Sequence, residues 1–573
     1  QQAVINGISR YSKSLGYRGP IAHLEDQAKV DEFINKTQYE LLDEEGLINY
    51  YDDPGLKKAM KQTPKLKPDR IYEAVLVNVD RPDLKLRVGN VEGTLAYKDW
   101  SWAKRPARKA KPWKPKIGDV VEVKLKTLKK KEGDSPVTLS KQFTLYQAPE
   151  VQSALFSYEP FSGKVKAVIG GQNYKKSEFN RATQALLQPG SSIKPLIYAA
   201  ALDKGYSPGT VVMDSPIVYE ESPGKFWSPR NYGGKYYGPT AFRHALVNSR
   251  NVVTVRILMD IGTHYVAGFM RKLGLSTPIY KYYSMALGSN EVKLAELATA
   301  YGTFVTGGIK PQTYYVEKIL DPGGNVVEER KPQDVQYLIS YKEVKDKENT
   351  DNDNQKPKKE SEAQPESQPM GKKSDSWEEM GYNETLFEAA QTGTEEDDLL
   401  LTSYEKKTLY GDYIPPGYTI TPKTAMTMVN ILRDVVRAGT GARARALNKP
   451  AGGKTGTTND ATDAWFIGFT PTLVTGVWVG FDEERRTLGR GVTGGGMAAP
   501  IWLAYMKKAT EHYPTKSFTV PKWVDLSVYE APIGQVAVGD AELGDEGVGT
   551  GVVQAGPSGS SPSSTEFFVQ DLE

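Results

Sequence analysis

Ser191-Ser192-Ile193-Lys194, directly behind Gln188-Pro189-Gly190, sets a serine three residues before a lysine at what reads as the opening of a helix. Residues three apart on a helix share a face, so the Lys194 amine can lie one turn from the Ser191 hydroxyl. It can take that proton if something keeps the amine neutral, which makes a serine nucleophile without histidine. The spacing alone decides little. Ser222-Pro223-Gly224-Lys225 and Ser403-Tyr404-Glu405-Lys406 match it too, and a serine after Pro-Gly is more often a helix cap than a nucleophile.

Two further triplets, each occurring once, shift the balance: Ser249-Arg250-Asn251 and Lys454-Thr455-Gly456. Taken alone, the first reads as a solvated helix end or turn. The second is not the tail of a phosphate-binding loop, because that loop needs a glycine five positions before Gly453 and Asn448 stands there. In this order the three elements form the signature of penicillin-recognising serine enzymes.

An acyl-enzyme route needs an activated hydroxyl, a proton shuttle to the leaving amine, donors for the oxyanion and a cation for the substrate's terminal carboxylate. On this pattern Ser191 attacks. Lys194 is the base, kept neutral by burial and by the charge of Lys454. Ser249 relays the proton to the leaving group, and Asn251 hydrogen-bonds the Lys194 amine and the substrate backbone. Lys454 with Thr455, Gly456 and Thr457 forms the substrate-binding strand. The backbone N–H groups of Ser191 and Thr457 form the oxyanion site, the first at a helix N-terminus whose dipole favours negative charge. No metal or organic cofactor is implied.

Beyond these motifs, much of the chain resembles the transpeptidase part of class A penicillin-binding proteins, the bifunctional peptidoglycan synthases, and looks closest to the 1A type. Gly163 to Gly171 is similar to the family's first core strand, and Phe179-Asn180-Arg181-Ala182 to its run-in to the nucleophile. Leu294 to Gly302 with Gly307-Gly308 matches a long helix and turn. Ala438-Gly439-Thr440-Gly441 before Lys454, Asp463 to Phe469 after it, and Gly494 to Pro500 complete the likeness. It implies an α+β fold, an antiparallel sheet between helical layers as in the penicillin-binding and serine β-lactamase-like enzymes, with an inserted OB-like barrel. It also implies a D,D-transpeptidase that cross-links peptidoglycan stem peptides. A donor stem ending in D-Ala-D-Ala acylates Ser191, and an amine of a neighbouring stem resolves the acyl-enzyme; β-lactams inhibit by the same acylation. A D,D-carboxypeptidase, a β-lactamase-like hydrolase, a non-catalytic penicillin-binding sensor and a binding module built on the barrel are the rival readings. Arg250 disfavours a class A lactamase, which has aspartate there. A Ser-His-Asp hydrolase fares worse, since His23, His244, His264 and His512 lie in no recognisable triad motif.

The positioning elements follow from the periodicity. At 573 residues the chain holds several cores, its net charge of only +3 does not suggest nucleic acid, and it lacks cysteine. No apolar run reaches about 18 residues, and no export signal is visible at Gln1. Residues 1–68 read as a helical interdomain linker, with Val30, Phe33, Ile34, Leu41 and Leu42 on one face. From about 69 to 150 the pattern alternates, as in Val75, Val77, Val79, then Leu84, Leu86, Val88 and Val121, Val123, Leu125, which predicts the small barrel. Trp100, Trp102 and Trp113 stand among Lys104, Arg105, Arg108, Lys109, Lys111 and Lys114. That mixture suits nucleic acid, but on an exported protein it fits a docking loop for an activator protein or anionic wall polymer better.

Residues 151–515 form the transpeptidase domain. Within it, 345–375 lack aromatic and branched aliphatic residues and read as a disordered charged insert. Pro422 opens a helix with Met426, Met428, Val429, Leu432, Val435 and Val436 on its apolar face. Residues 516–573 read as a partly disordered extension. The resemblance implies a periplasmic location, with an inner-membrane anchor and a glycosyltransferase domain upstream in the full-length parent. This sequence shows neither and reads as a piece beginning in the interdomain linker.

Overall fold

The computed structural model describes residues 1–330 and 417–518, apart from 49–57, 59, 69, 81, 108–109, 129–136, 483–485 and 490. The insert at 345–375 and nearly all of 516–573 lie outside the described residues.

Alternating apolar residues build five strands: β1 (Ile71–Asn78), β2 (Leu84–Val88), β3 (Val91–Leu95), β4 (Asp119–Leu128) and β5 (Val137–Leu145). They pair in the order β4-β1-β2-β3-β5, and β4 with β5 closes the sheet into a barrel. The β3–β5 contact is parallel and the others antiparallel. Closure removes the sheet edges that would otherwise invite pairing with other chains.

Leu84, Leu86, Val88, Val121, Val123 and Leu125 share the barrel core, as their period-two spacing predicts. Strand β1 departs from expectation, because its inward residues are Tyr72, Ala74 and Leu76. Val75 and Val77 pack outside the barrel against Val30 and Ile34 of helix α2 (Gln27–Glu44), so this strand is apolar on both faces. Helix α2 starts where the Asp26 side chain accepts the Lys29 N–H at 2.8 Å, a normal N-cap. The tryptophans also correct the sequence reading. Trp100 and Trp113 are buried in the barrel core, and their ring nitrogens donate to the Pro82 carbonyl at 3.2 Å and the Asp119 carboxylate at 2.9 Å. Trp102 packs edge-on to Tyr17. A small barrel gains more by burying such rings than by exposing them, so Trp100 and Trp113 do not present a docking surface.

The second sheet orders β9-β10-β11-β6-β7, antiparallel throughout: β6 (Gln152–Tyr158), β7 (Val165–Ile169), β9 (Gly452–Thr457), β10 (Asp463–Phe469) and β11 (Val474–Gly480). A separate short strand, β8 (Val211–Asp214), pairs with Gly238–Ala241. Strand β10 shows why the large sheet reads as continuous apolar sequence. Trp465, Ile467 and Phe469 enter one core, and Ala464 and Phe466 the other.

The first core lies under α3 (Lys194–Asp203), α4 (Asn251–Ile261), α5 (Leu294–Val305) and α6 (Pro422–Arg437). The Thr421 side chain caps α6 by accepting the Thr424 N–H at 3.1 Å. The opposite core is roofed by α7 (Gly494–Ala509) and by α1 (Gln2–Ser14). Helix α1, read from sequence as part of a connecting region, sends Val4, Ile8 and Tyr11 into this core beside Leu155, Val477, Trp502 and Met506. Helix α3 is buried from Lys194 through Ala201, so a lysine at its first position must enter the interior with it.

Candidate active site

Ser191 lies in a 3-10 turn, Gly190–Ile193, that runs directly into α3. The turn is pressed against strand β9. A Cβ on Gly456 would lie 2.3 Å from the Pro189 carbonyl oxygen, and Gly190, at φ +51°, could carry one only 2.5 Å from the Thr457 oxygen. Both approaches exclude a side chain. The Trp465 indole donates to the Gln188 carbonyl at 2.9 Å, Ser192 Oγ to the Pro189 carbonyl at 2.7 Å, and the Tyr301 hydroxyl to the Ser192 carbonyl. Ser191 is thus framed by fixed neighbours and lines an open cleft of about 880 Å³.

Lys194 is fully buried, and its amine donates to Asn251 Oδ1 at 2.7 Å and to the Ser249 carbonyl at 2.9 Å. The Ser249 hydroxyl is 3.4 Å away. No hydrogen bond joins Lys194 to Ser191 among the described residues, so the pairing expected from their spacing is not made in this resting geometry. Lys454 is equally buried and donates to Ser249 Oγ at 2.9 Å and to the Thr455 carbonyl at 2.9 Å. Burial first, then the charge of Lys454, holds the Lys194 amine well below the usual lysine range. Burial pushes Lys454 down to about 7. A neutral amine has two N–H groups and one lone pair. At Lys194 the two carbonyl-type acceptors use both N–H groups, which frees the lone pair for a proton.

The remaining expected residues converge on the same place. Thr455 Oγ1 donates to Thr440 Oγ1 at 2.7 Å, and Thr457 Oγ1 accepts the Gly494 N–H at 3.0 Å from the start of α7. Ser191, Ser249, Asn251, Thr455 and Thr457 all line the cleft. Ser222 ends a separate hairpin strand, Tyr219–Ser222. Ser403 lies outside the described residues. Among the described residues no cluster of three or more His, Cys, Asp or Glu could hold a metal.

Two residues that sequence reasoning missed hold the Ser-x-Asn segment. The Asn231 side-chain oxygen accepts the backbone N–H groups of Asn251 at 2.8 Å and Val252 at 3.2 Å, capping α4. Its amide nitrogen donates to both oxygens of buried Asp214 at 2.8 and 2.9 Å. Asn251 itself is oriented by donating Nδ2 to the Arg230 carbonyl at 2.9 Å, which turns Oδ1 toward Lys194. Ser249 sits at φ +58°, a left-handed conformation that costs about 1–3 kcal/mol and persists only where surroundings enforce it. Asn231 is 20 positions from Asn251, with the strand Gly238–Ala241 and the helix Phe242–Val247 between them, so it carries no periodic signal and only the three-dimensional arrangement reveals it.

The geometry has counterparts in known proteins. The penicillin binding protein transpeptidase domain family matches residues 154–372, a span that includes Ser191, Lys194, Ser249 and Asn251. Penicillin-binding protein 1A of Rickettsia bellii is 32% identical over 483 residues, covering 84% of this chain and 51% of the relative. Penicillin-binding protein 1A of Escherichia coli is 32% identical over 568 residues, covering 94% of this chain and 61% of the relative. The chain therefore spans between half and two thirds of these relatives. The crystal structure of penicillin-binding protein 1A from Haemophilus influenzae superposes with a TM-score of 0.64 at 26% identity, covering 91% of this chain and 66% of that one. With its two-sided sheet, its buried lysine pair around one serine and these likenesses, the chain carries a penicillin-binding protein transpeptidase domain, and its relatives are of the 1A kind.

Proposed function

We propose that this chain is a serine D,D-transpeptidase that cross-links peptidoglycan stem peptides through an acyl-enzyme on Ser191. The observation that carries the reading is the buried Lys194 amine, held by Asn251 and Ser249 with its lone pair uncommitted, one helical turn from a cleft-lining serine. A stem peptide ending in D-Ala-D-Ala enters with its terminal carboxylate on Lys454, Thr455 and Thr457. Ser191 Oγ attacks the penultimate carbonyl as Lys194 takes its proton, and the backbone N–H groups of Ser191 and Thr457 hold the oxyanion. Lys194 returns the proton by way of Ser249 to the departing D-Ala amine. An amine on a neighbouring stem then attacks the ester; the C–N bond forms, the C–Oγ bond breaks, and the amine proton passes back to Ser191. Hydrogen bonds that are loose in the resting enzyme tighten when substrate binds, which is the step that brings Lys194 onto Ser191.

On this reading β-lactams acylate the same serine, an activator protein is a partner for the barrel, and the enzyme works at the periplasmic face of the membrane that anchors its full-length parent. The test is mass spectrometry after mixing with benzylpenicillin. One adduct per chain, mapped to Ser191, is expected, and Lys194→Ala should slow its formation by about a hundredfold or more, as losing a positioned base does. An adduct on Ser222 or Ser403, or an unchanged rate, overturns the proposal.

A further inference from the structure

Arg250, between Ser249 and Asn251, has no role in the chemistry described above, yet it lines the cleft with them. Its guanidinium carbon lies 3.3 Å from the centre of the Tyr237 ring, which fixes the plane of the group. Its Nε is buried with no hydrogen-bond partner, and among the described residues no carboxylate pairs with it. A buried guanidinium N–H left unbonded is costly, and a planar fork of donors fits a carboxylate in two-point fashion. Arg230 adds a second cation to the same cleft, and its carbonyl is tied to Asn251. Its side chain also has no acidic partner among the described residues. Lys454, by contrast, is already engaged with Ser249 and Thr455 on the facing strand.

The geometry points to Arg250 as a specificity-determining residue that binds a carboxylate carried by the acceptor, next to the attacking amine. This rests on the transpeptidase reading above. The position supports it, since Arg250 adjoins Ser249, the group that exchanges protons with whichever amine leaves or enters. An acceptor whose amine and carboxylate share one carbon would rest its anion on Arg250 and present its amine to the Ser191 ester. During aminolysis the amine loses one proton and Ser191 regains one, so the guanidinium stays charged and changes no bond. Asp460 also lines the cleft, and its charge disfavours an anion placed nearer to it.

The experiment measures partition of the acyl-enzyme formed from a thioester acyl-D-alanyl donor between D-alanine and D-alanine amide, which differ only in the carboxylate. The rate ratio of the two acceptors is compared between wild type and variants, so their unequal basicity cancels. Arg250→Gln should lower the D-alanine to D-alanine amide ratio by about tenfold or more, Arg250→Lys should restore part of it, and Arg230→Gln should lower it less. A ratio unchanged in Arg250→Gln overturns the inference. So does a tenfold slower acylation by benzylpenicillin in that variant with the acceptor ratio intact, because it would assign Arg250 to the donor's carboxylate. Benzylpenicillin labelling of Ser191 in each variant confirms folding. Absence of any Ser191 adduct in the wild type defeats the underlying transpeptidase reading instead.

Discussion

The Ser249 hydroxyl oxygen accepts a hydrogen bond from the Lys454 amine at 2.9 Å. Lys194 approaches the same oxygen at 3.4 Å, so a single hydroxyl lies between two buried lysines. Lys454 comes to it as the donor, while the two N–H groups of Lys194 go to Asn251 and the Ser249 carbonyl, so the Ser249 proton is left for the Lys194 lone pair or for a group in the cleft. That arrangement suits a relay better than a nucleophile, and it explains why two cations can be buried side by side: each amine is held by oxygens, and burial keeps both from staying fully charged.

Acylation should depend on loss of a proton from this pair. Lys194 is held well below the usual lysine range and Lys454 beside it is pushed down to about 7, so the coupled pair gives up protons well below the pH at which ordinary lysines do. The base is the neutral amine. The benzylpenicillin acylation rate should accordingly rise with pH and level off well before the ordinary lysine range is reached, which rapid-quench rates from pH 5 to 10 will show. A rate flat across that range would exclude a lysine base.

Lys454 should also lower stability in a pH-dependent way. A lysine with a depressed folded pKa holds its proton more readily when unfolded, so the penalty is full below about pH 7 and fades as pH rises toward the ordinary lysine value. Lys454→Met removes it while keeping the volume. The variant should melt at least about 3 °C higher than wild type at pH 6, the scale of about 1 kcal/mol for a domain of this size. The gain should shrink by pH 10, and acylation should be lost. A gain that grows with pH would contradict the sign.

Asn231→Ala should harm both stability and chemistry. It strands the Asp214 carboxylate in the interior and uncaps the backbone N–H groups of Asn251 and Val252. Leaving such buried groups unpaired costs about 1–3 kcal/mol each, and Asn251 loses its fixed seat beneath Lys194. Calorimetry should find about 3 kcal/mol or more of destabilisation, with acylation at least about tenfold slower at a temperature where the variant is folded. Full acylation activity in a destabilised variant would confine Asn231 to a scaffold role.

Gly456→Ala tests the contact between strand and nucleophile. The new methyl would sit 2.3 Å from the Pro189 oxygen, so the Ser191 turn must move. A shift of about 1 Å at a reacting group costs roughly a hundredfold in rate. Gly209→Ala, whose Cβ would meet nothing closer than 3.9 Å, is the matched control and should acylate normally.

Sequence reasoning reached the parts whose function forces a local pattern. Ser191 and Lys194 are tied by one helical turn, Leu84, Leu86 and Val88 by the pleat of a strand, and Thr421-Pro422 by the way helices start. It missed partners that meet only through space. Asp214, Asn231 and Asn251 come from a strand, a loop and a helix, and no spacing rule joins them. Trp100 and Trp113 misled because lysines and arginines surround them in sequence, while in the fold the rings turn inward and Lys104, Arg105, Lys111 and Lys114 stay exposed. Val75 misled because an alternating strand names two faces without saying which is the barrel's, and here both are covered.

Helix α1 carries a consequence for the order in which this molecule can be assembled. Its Tyr11 hydroxyl bonds the Leu488 carbonyl, 477 positions later, and its apolar face seals against α7. During synthesis α1 emerges long before the helix that covers it, with Val4 and Ile8 exposed in the meantime. Contacts of such long sequence separation form late and slowly. The barrel closes on pairings within its own segment, whereas the two-sided sheet must wait for its last covering helix. The core that α1 and α7 cover is therefore complete only once these earliest and latest described helices have met.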